Sequence, residues 1–253
     1  MNRPITAVAA AAAVAVAIGL YAPAATAAPA GKPHATTHAK PHAKPRVSKD
    51  ARRLAAEKTV VLREIAHKDA GLAVVLKNPW LSRLDATQAG TVRANVAADR
   101  ATLATLKSGV SAATTVTDVR ALRAKVKQVR PEVYYVAINT VRQAARFLSA
   151  AARNTATIAA LTTQADAKEA DGFDVTAVRT ELDAAAVANT EAGTAAAGAT
   201  DLALGLTATA THAGLDGVRT RLAVAEAALT TAADHLAAAE SAVAAMVAPE
   251  PAA

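Results

Sequence analysis

The chain has 253 residues and no cysteine, so disulfides, thiolate nucleophiles and cysteine-ligated metals are excluded. Apolar residues make up 53% of it but aromatics only 2%, and alanine, which buries little area per residue, supplies most of the apolar count, so the core must be thin and shared between long helices rather than one thick centre. The formal charge is +7, yet residues 1–163 hold 24 Lys and Arg against 8 Asp and Glu while residues 164–253 hold 4 against 13; a basic front and an acidic back attract each other, and the front also suits an anionic polymer or lipid surface.

Residues 1–27 read as a secretory signal peptide. Met1, Asn2 and Arg3 are a short positive start, Ile5 to Leu20 is an uncharged apolar run, and Ala25, Thr26 and Ala27 supply small residues before a cut at Ala28. That run is shorter than the roughly 20 residues of a membrane-spanning helix. In residues 28–47, Lys32-Pro33-His34-Ala35 recurs as Lys40-Pro41-His42-Ala43, followed by Lys44, Pro45 and Arg46. Proline at this density blocks helix and predicts a disordered basic tail.

From residue 48 to 248 the texture predicts an α-helical domain, with 249–253 as a disordered end. Ser48 caps a helix to about Lys77, which Asn78-Pro79 ends; Trp80 to Arg83 is a connector, and Asp85 caps a second helix to about Ser108. Gly109 and the Thr/Ser-rich stretch 111–117 predict a loop, with Thr117 or Asp118 capping a third helix. Pro131 disfavours helical geometry at Arg130, but the apolar phase Val119, Leu122, Val126, Val129, Val133, Val136 crosses it unbroken, which predicts a kink or tight break. Helix then continues to about Asp171, with Tyr134, Ala137, Val141, Ala144, Leu148, Ala151, Thr155 and Ile158 on one stripe. Gly172 ends it. Asp174 opens a fifth segment running to near Leu206, weakened by Gly193, Gly198 and Gly205.

The last segment carries the strongest periodicity. Leu215, Val218, Leu222, Ala225, Leu229, Ala232, Leu236, Ala239, Val243 and Met246 follow 3,4 spacing without a miss, a seam for close packing against another helix of this chain or a second copy. The fold expected is an all-α, elongated bundle of long antiparallel, coiled-coil-like helices behind the tail.

The signal peptide, the basic helix around Arg93 to Leu106, the segment from Arg130 to Ile138, the Gly172-Phe173-Asp174-Val175 junction and the Leu/Ala-rich final helix together resemble secreted all-helical proteins of unknown function from high-GC Gram-positive bacteria. The proline here falls before the tyrosines rather than after the aliphatic run of that family. The resemblance implies helical fold and secretion, and no activity.

Chemistry-bearing patterns are few. Glu64 and His67 have the spacing of half a di-iron site, but a second Glu-x-x-His is missing: the positions three before His212 and His235 hold Thr209 and Ala232. His34, His38 and His42 are evenly spaced in the tail and suit weak metal binding. Asp171 and Asp174 flank a helix junction, where capping explains them. Trp80 is a plug under a loop or an exposed aromatic for a sugar or interface, and Tyr134 and Tyr135 point to different faces of a helix, one to pack and one to anchor a partner. No phosphate-cradling glycine loop or activated nucleophile is present, stacking platforms for nucleic acid are lacking, and no cofactor is implied. The expected function is a non-enzymatic structural or binding module at the cell envelope, secreted, whose Lys32, Lys40, Lys44, Arg46, Lys49, Arg52 and Arg53 touch anionic polymer or lipid as mobile point charges. The alternatives are a carrier of a lipid or small apolar ligand between helices, and a homo-oligomer formed through the seam.

Overall fold

Four helices begin on an oxygen-bearing side chain that accepts a backbone N–H the first turn leaves free. Ser48 accepts from Ala51 N, Asp85 from Gln88 N, Thr115 from Asp118 N and Thr211 from Gly214 N. In the computed structural model, which describes residues 48–246, these caps open α1 (Lys49–Leu76), α2 (Ala86–Ala112), α3 (Val116–Gln128) and α6 (His212–Ala245). The other helices are α4 (Val133–Ala170) and α5 (Thr176–Leu204), and a single 3-10 turn, Leu81–Arg83, lies between α1 and α2. No strand occurs among the described residues. The predicted tail and signal peptide lie outside them.

Two boundaries differ from the sequence reading. The helix expected to end near Ser108 continues through Gly109 to Ala112, and the third helix is capped by Thr115 rather than by Thr117 or Asp118. The Leu122 side chain sits over Gly109, 3.4 Å from where a Cβ would stand, so the glycine serves close packing there rather than chain reversal. Thr115 Oγ1 also donates to Asp118 Oδ2 at 2.7 Å, so the Asp118 carboxylate orients the hydroxyl that caps its own N–H. The break at proline is real, between Gln128 and Val133, and α1 meets it closely: a Cβ on residue 71 would stand 3.2 Å from the Pro131 ring. Gly172 ends the α4 region at φ 90°, with Gly172 N donating to Glu169 O and Phe173 N to Lys168 O, the paired bonds of a Schellman turn.

Helices α1, α2 and α3 pack on one another, and α4, α5 and α6 do the same. The first core holds Val61, Leu72, Val96, Leu103 and Val126, and admits Tyr134 and Ile138 from the start of α4 together with Ala208 from the α5–α6 loop. The second is layered along the helices. Val133, Val141, Leu206, Leu215 and Val218 fill the near end, Ala144, Ala195, Ala196 and Ala225 the middle, and Leu161, Val178, Leu182, Leu236 and Val243 the far end. The result is an all-α bundle of long antiparallel helices; α4, at 38 residues, spans about 57 Å at 1.5 Å per residue.

The seam of α6 faces its own chain. Val218, Ala225, Ala232 and Ala239 are wholly buried, Leu215, Leu236 and Val243 nearly so, and Leu222, Leu229 and Met246 half-buried. The α4 stripe holds at Tyr134, Ala137, Val141, Ala144 and Ala151, but Leu148 is 41% exposed and Thr155 is exposed, with Phe147 packing inward beside Ala144 instead. A straight helix drifts about 20° per heptad from a strict 3.5-residue repeat, and the buried line has moved on to Leu161 and Ala165 by the far end.

Candidate functional site: an arginine row beside Trp80

The proline-terminated end of α1 and the 3-10 turn set Trp80 against the flank of α4. Asn78 Oδ1 accepts the Trp80 N–H at 2.9 Å and fixes that turn. The ring is half-buried at the edge of the first core, and two guanidinium groups lie over it: Arg142 at 3.4 Å and Arg83 at 4.1 Å from the ring centroid. Trp80 is thus neither a plain plug nor a free contact surface; its π-face holds two cations in place. A trough of about 490 Å3 runs here, lined by Trp80, Arg83, Gln88, Arg142, Ala145 and Arg146 among others. A second hollow of about 270 Å3 shares Ala145 and Arg146 and continues to Ser149 and Arg153.

Helical geometry explains the row. At 100° per residue, Arg142, Arg146, Ser149 and Arg153 fall within about 60° of one another on α4. Arg146 and Arg153 are exposed and Arg142 is half-buried. Among the described residues no ion pair engages Arg83, Arg142, Arg146 or Arg153; Arg142 donates to Asn139 Oδ1 at 3.2 Å. The carboxylate in the trough, Asp85, is occupied as the cap of α2, accepting from Gln88 N at 2.8 Å.

Elsewhere in the basic half, three acids are committed to ion pairs. Asp69 bonds Arg100 at 2.6 Å, Glu57 bonds Arg120 at 3.4 Å and Glu64 bonds Arg123 at 3.1 Å. The hydrogen bond from Arg100 holds the Asp69 carboxyl below its usual range, against the opposing effect of burial. Glu64 is therefore tied to a cation, and its neighbour His67 is exposed; no cluster of three His, Cys, Asp or Glu fit for a metal occurs among the described residues. Asp174 accepts from Thr176 N at 2.9 Å, a turn-forming role that lowers its pKa through the Thr176 side chain and backbone.

Of the contact residues expected from sequence, Lys49, Arg52 and Arg53 lie exposed on the first turns of α1 with no ion pair among the described residues. Lys32, Lys40, Lys44 and Arg46, and the histidines His34, His38 and His42, fall outside the described residues. The α4 arginine row was not anticipated; the 4- and 7-residue spacing of Arg142, Arg146 and Arg153 was its only signal in the sequence.

A buried polar joint was missed as well. Asp99, 9% exposed on α2, accepts from Tyr134 Oη at 2.5 Å and from Ala208 N at 2.7 Å. One turn earlier Asn95 donates to Leu204 O at 2.9 Å, and Arg130 N donates to Ala208 O at 2.7 Å. Burial, then the hydrogen bond to Asp99 and its charge, push the Tyr134 phenol far above its ordinary pKa, while a backbone contact with Ala208 pulls the other way. Tyr134 is buried in the first core, and Tyr135, half-buried, packs against the same core and lines a hollow with Pro131 and His67.

Between α1 and α2 a groove of about 610 Å3 has Leu62, Ile65 and Leu103 on its floor and the Asp69–Arg100 pair at its rim. Among the described residues no helix is long and apolar enough to cross a membrane. The chain matches no family model, and shows no significant match to a curated protein or to a solved structure.

Proposed function

We propose that this chain is a secreted, non-enzymatic helical module that attaches to anionic material of the cell envelope through its basic half. The observation that carries the reading is the imbalance of pairing in α1–α4. Most carboxylates there are spent on ion pairs, caps or the buried joint, whereas Lys49, Arg52, Arg53, Arg83, Arg146 and Arg153 stand exposed without acidic partners among the described residues. Exposed cations of this kind act over about 8–10 Å in physiological salt and steer toward polyanions. Secretion rests on the leader-like residues 1–27, and the resemblance to secreted helical proteins of high-GC Gram-positive bacteria agrees with it.

Co-sedimentation of the chain with an envelope fraction, at low and at molar salt, tests the proposal. Binding at low salt that molar salt releases is expected. Retention unchanged in molar salt would show that some other contact holds the protein.

A further inference from the structure

The geometry points to the trough beside Trp80 as a binding site for a linear phosphodiester polymer, one phosphate held among Arg83, Arg142 and Arg146 and the chain continuing along α4 to Arg153. This deepens the envelope-attachment reading and rests on it.

Four observations converge. The two hollows share Ala145 and Arg146 and so form one track along α4. From Arg142 to Arg146 the helix rises about 6 Å, and from Arg146 to Arg153 about 10 Å, a ladder of charge suited to an extended chain with repeating anions. All four cations are arginine, whose planar fork binds oxyanions bidentately where lysine offers a point charge. Trp80 orders two of them in advance, at 3.4 and 4.1 Å, which lowers the rotamer entropy lost on binding.

The same features choose among polyanions. A phosphodiester's two non-bridging oxygens lie around a tetrahedral phosphorus and accept from several directions, which suits forks arriving from different elements, Arg83 from the 3-10 turn and Arg142 and Arg146 from α4; a carboxylate's lone pairs lie in one plane. Nucleic acid is disfavoured, because the Trp80 ring on which a base would stack is already covered by guanidinium. A lipid surface is disfavoured too. The apolar residues of the trough are recessed, Val141 buried and Leu84 and Trp80 half-buried, and the exposed Leu148 lies about 120° round α4 from Arg142, so no apolar side chain projects beside the charges to enter a bilayer. Arg142 is half-buried and lines the hollow of about 490 Å3, so a narrow chain reaches it more readily than a flat surface does.

Trp80 is the sole tryptophan, so its fluorescence reports on the site directly. The experiment titrates the full chain with polyglycerol phosphate, and separately with phosphatidylglycerol vesicles, following Trp80 emission and total binding. Three proteins are compared: the parent, the triple variant R142Q/R146Q/R153Q, and R93Q/K125Q/K127Q, which removes the same charge from exposed positions on α2 and α3. The expected result is a polymer-dependent emission change in the parent, an affinity at least tenfold weaker in the α4 variant, and less than threefold weaker in the control. Equal weakening in both triple variants, or polymer binding that leaves Trp80 emission unmoved, would overturn the site while leaving envelope attachment intact. Vesicles that match the polymer in affinity and emission change would overturn the polymer as occupant. If the parent fails to bind the envelope fraction at low salt, it is the broader reading that falls.

Discussion

Asp99 stands where a hydrophobic residue belongs. Along α2 the buried positions Ala89, Val92, Val96, Leu103, Leu106 and Val110 keep 3,4 spacing, and Asp99 completes the series. A carboxylate in that place must be bonded or it would not be tolerated, since an unpaired buried charge costs far more than any single packing contact returns. Here it accepts from Tyr134 and Ala208. The anomaly was visible in the sequence, but its partners, 35 and 109 residues away, were not. Two predictions follow the chemistry of this pair. Asp99→Ala leaves the Ala208 N–H and the Tyr134 hydroxyl without their acceptor and should cost about 3 kcal/mol in denaturant unfolding; a loss under 1 kcal/mol would show that water replaces the carboxylate freely. The second concerns pH. Because the folded-state pKa of Tyr134 is raised above the unfolded value of about 10, the folded chain holds a proton that the unfolded chain releases. The stability so contributed is whole below about pH 10 and is lost as pH rises beyond it. Tyr134→Phe should flatten the fall in stability between about pH 10 and 12 relative to the parent, measured by urea unfolding at each pH; parallel curves for the two proteins would refute this coupling.

Helix existence was legible because alanine content, capping residues and 3,4 spacing agree along most of the chain. Boundaries were less so where one glycine had two readings: Gly109 is packed under Leu122, whereas Gly172 turns the chain at φ 90°, and nothing local separates them. Gly172→Ala must put an L side chain in left-handed backbone and should lose roughly 1–2 kcal/mol, read as a lower midpoint in thermal or urea unfolding; an unchanged midpoint would mean the turn relaxes to another closure. Pairing between helices was the least legible level, because alanine rows fit one another in many registers. Asn189 of α5 breaks that degeneracy. It is 8% exposed and donates to Ala151 O at 2.9 Å and to Thr155 Oγ1 at 3.0 Å, while its Oδ1 is buried without a partner. A buried amide in an apolar interface sets register at a cost in stability. Asn189→Ala removes two bonds and one unsatisfied oxygen together, so the net change should stay within about 1 kcal/mol. Its expected signature is instead doubled or broadened methyl signals from Ala151, Ala188 and Ala192. A large loss of stability with one sharp set of signals would make Asn189 an ordinary stabilising contact.

At the scale of the whole described chain, the two helical groups are joined by more than covalent connection. Tyr134 and Ile138 belong to α4 but sit in the core of α1–α3, and Ala208, from the loop between α5 and α6, is wholly buried there too. Asn95 and Asp99 of α2 and Arg130 of the proline break bond the end of α5 and that loop, and Tyr134, on the other side of the break, donates to Asp99. The arginine row lies on α4 just past this joint, and Trp80, which orders Arg142, comes from the connector between α1 and α2. The trough therefore has one wall from each group, Arg83 and Trp80 from the first and Arg142 and Arg146 from the second. Loosening the joint should loosen the trough without touching any residue in it. In Asp99→Ala, amide exchange should quicken across α2 and the first turns of α4 while the far end of the bundle, around Val178, Leu182 and Leu236, keeps its parental protection, because that layer is a core cluster separate from the one that holds Tyr134 and Ala208. Trp80 emission should shift toward that of an exposed indole in the same variant, as Arg142 is released. Uniform quickening across all six helices would mean the chain opens only as a single cooperative unit, and then the joint contributes global stability rather than holding the two walls together.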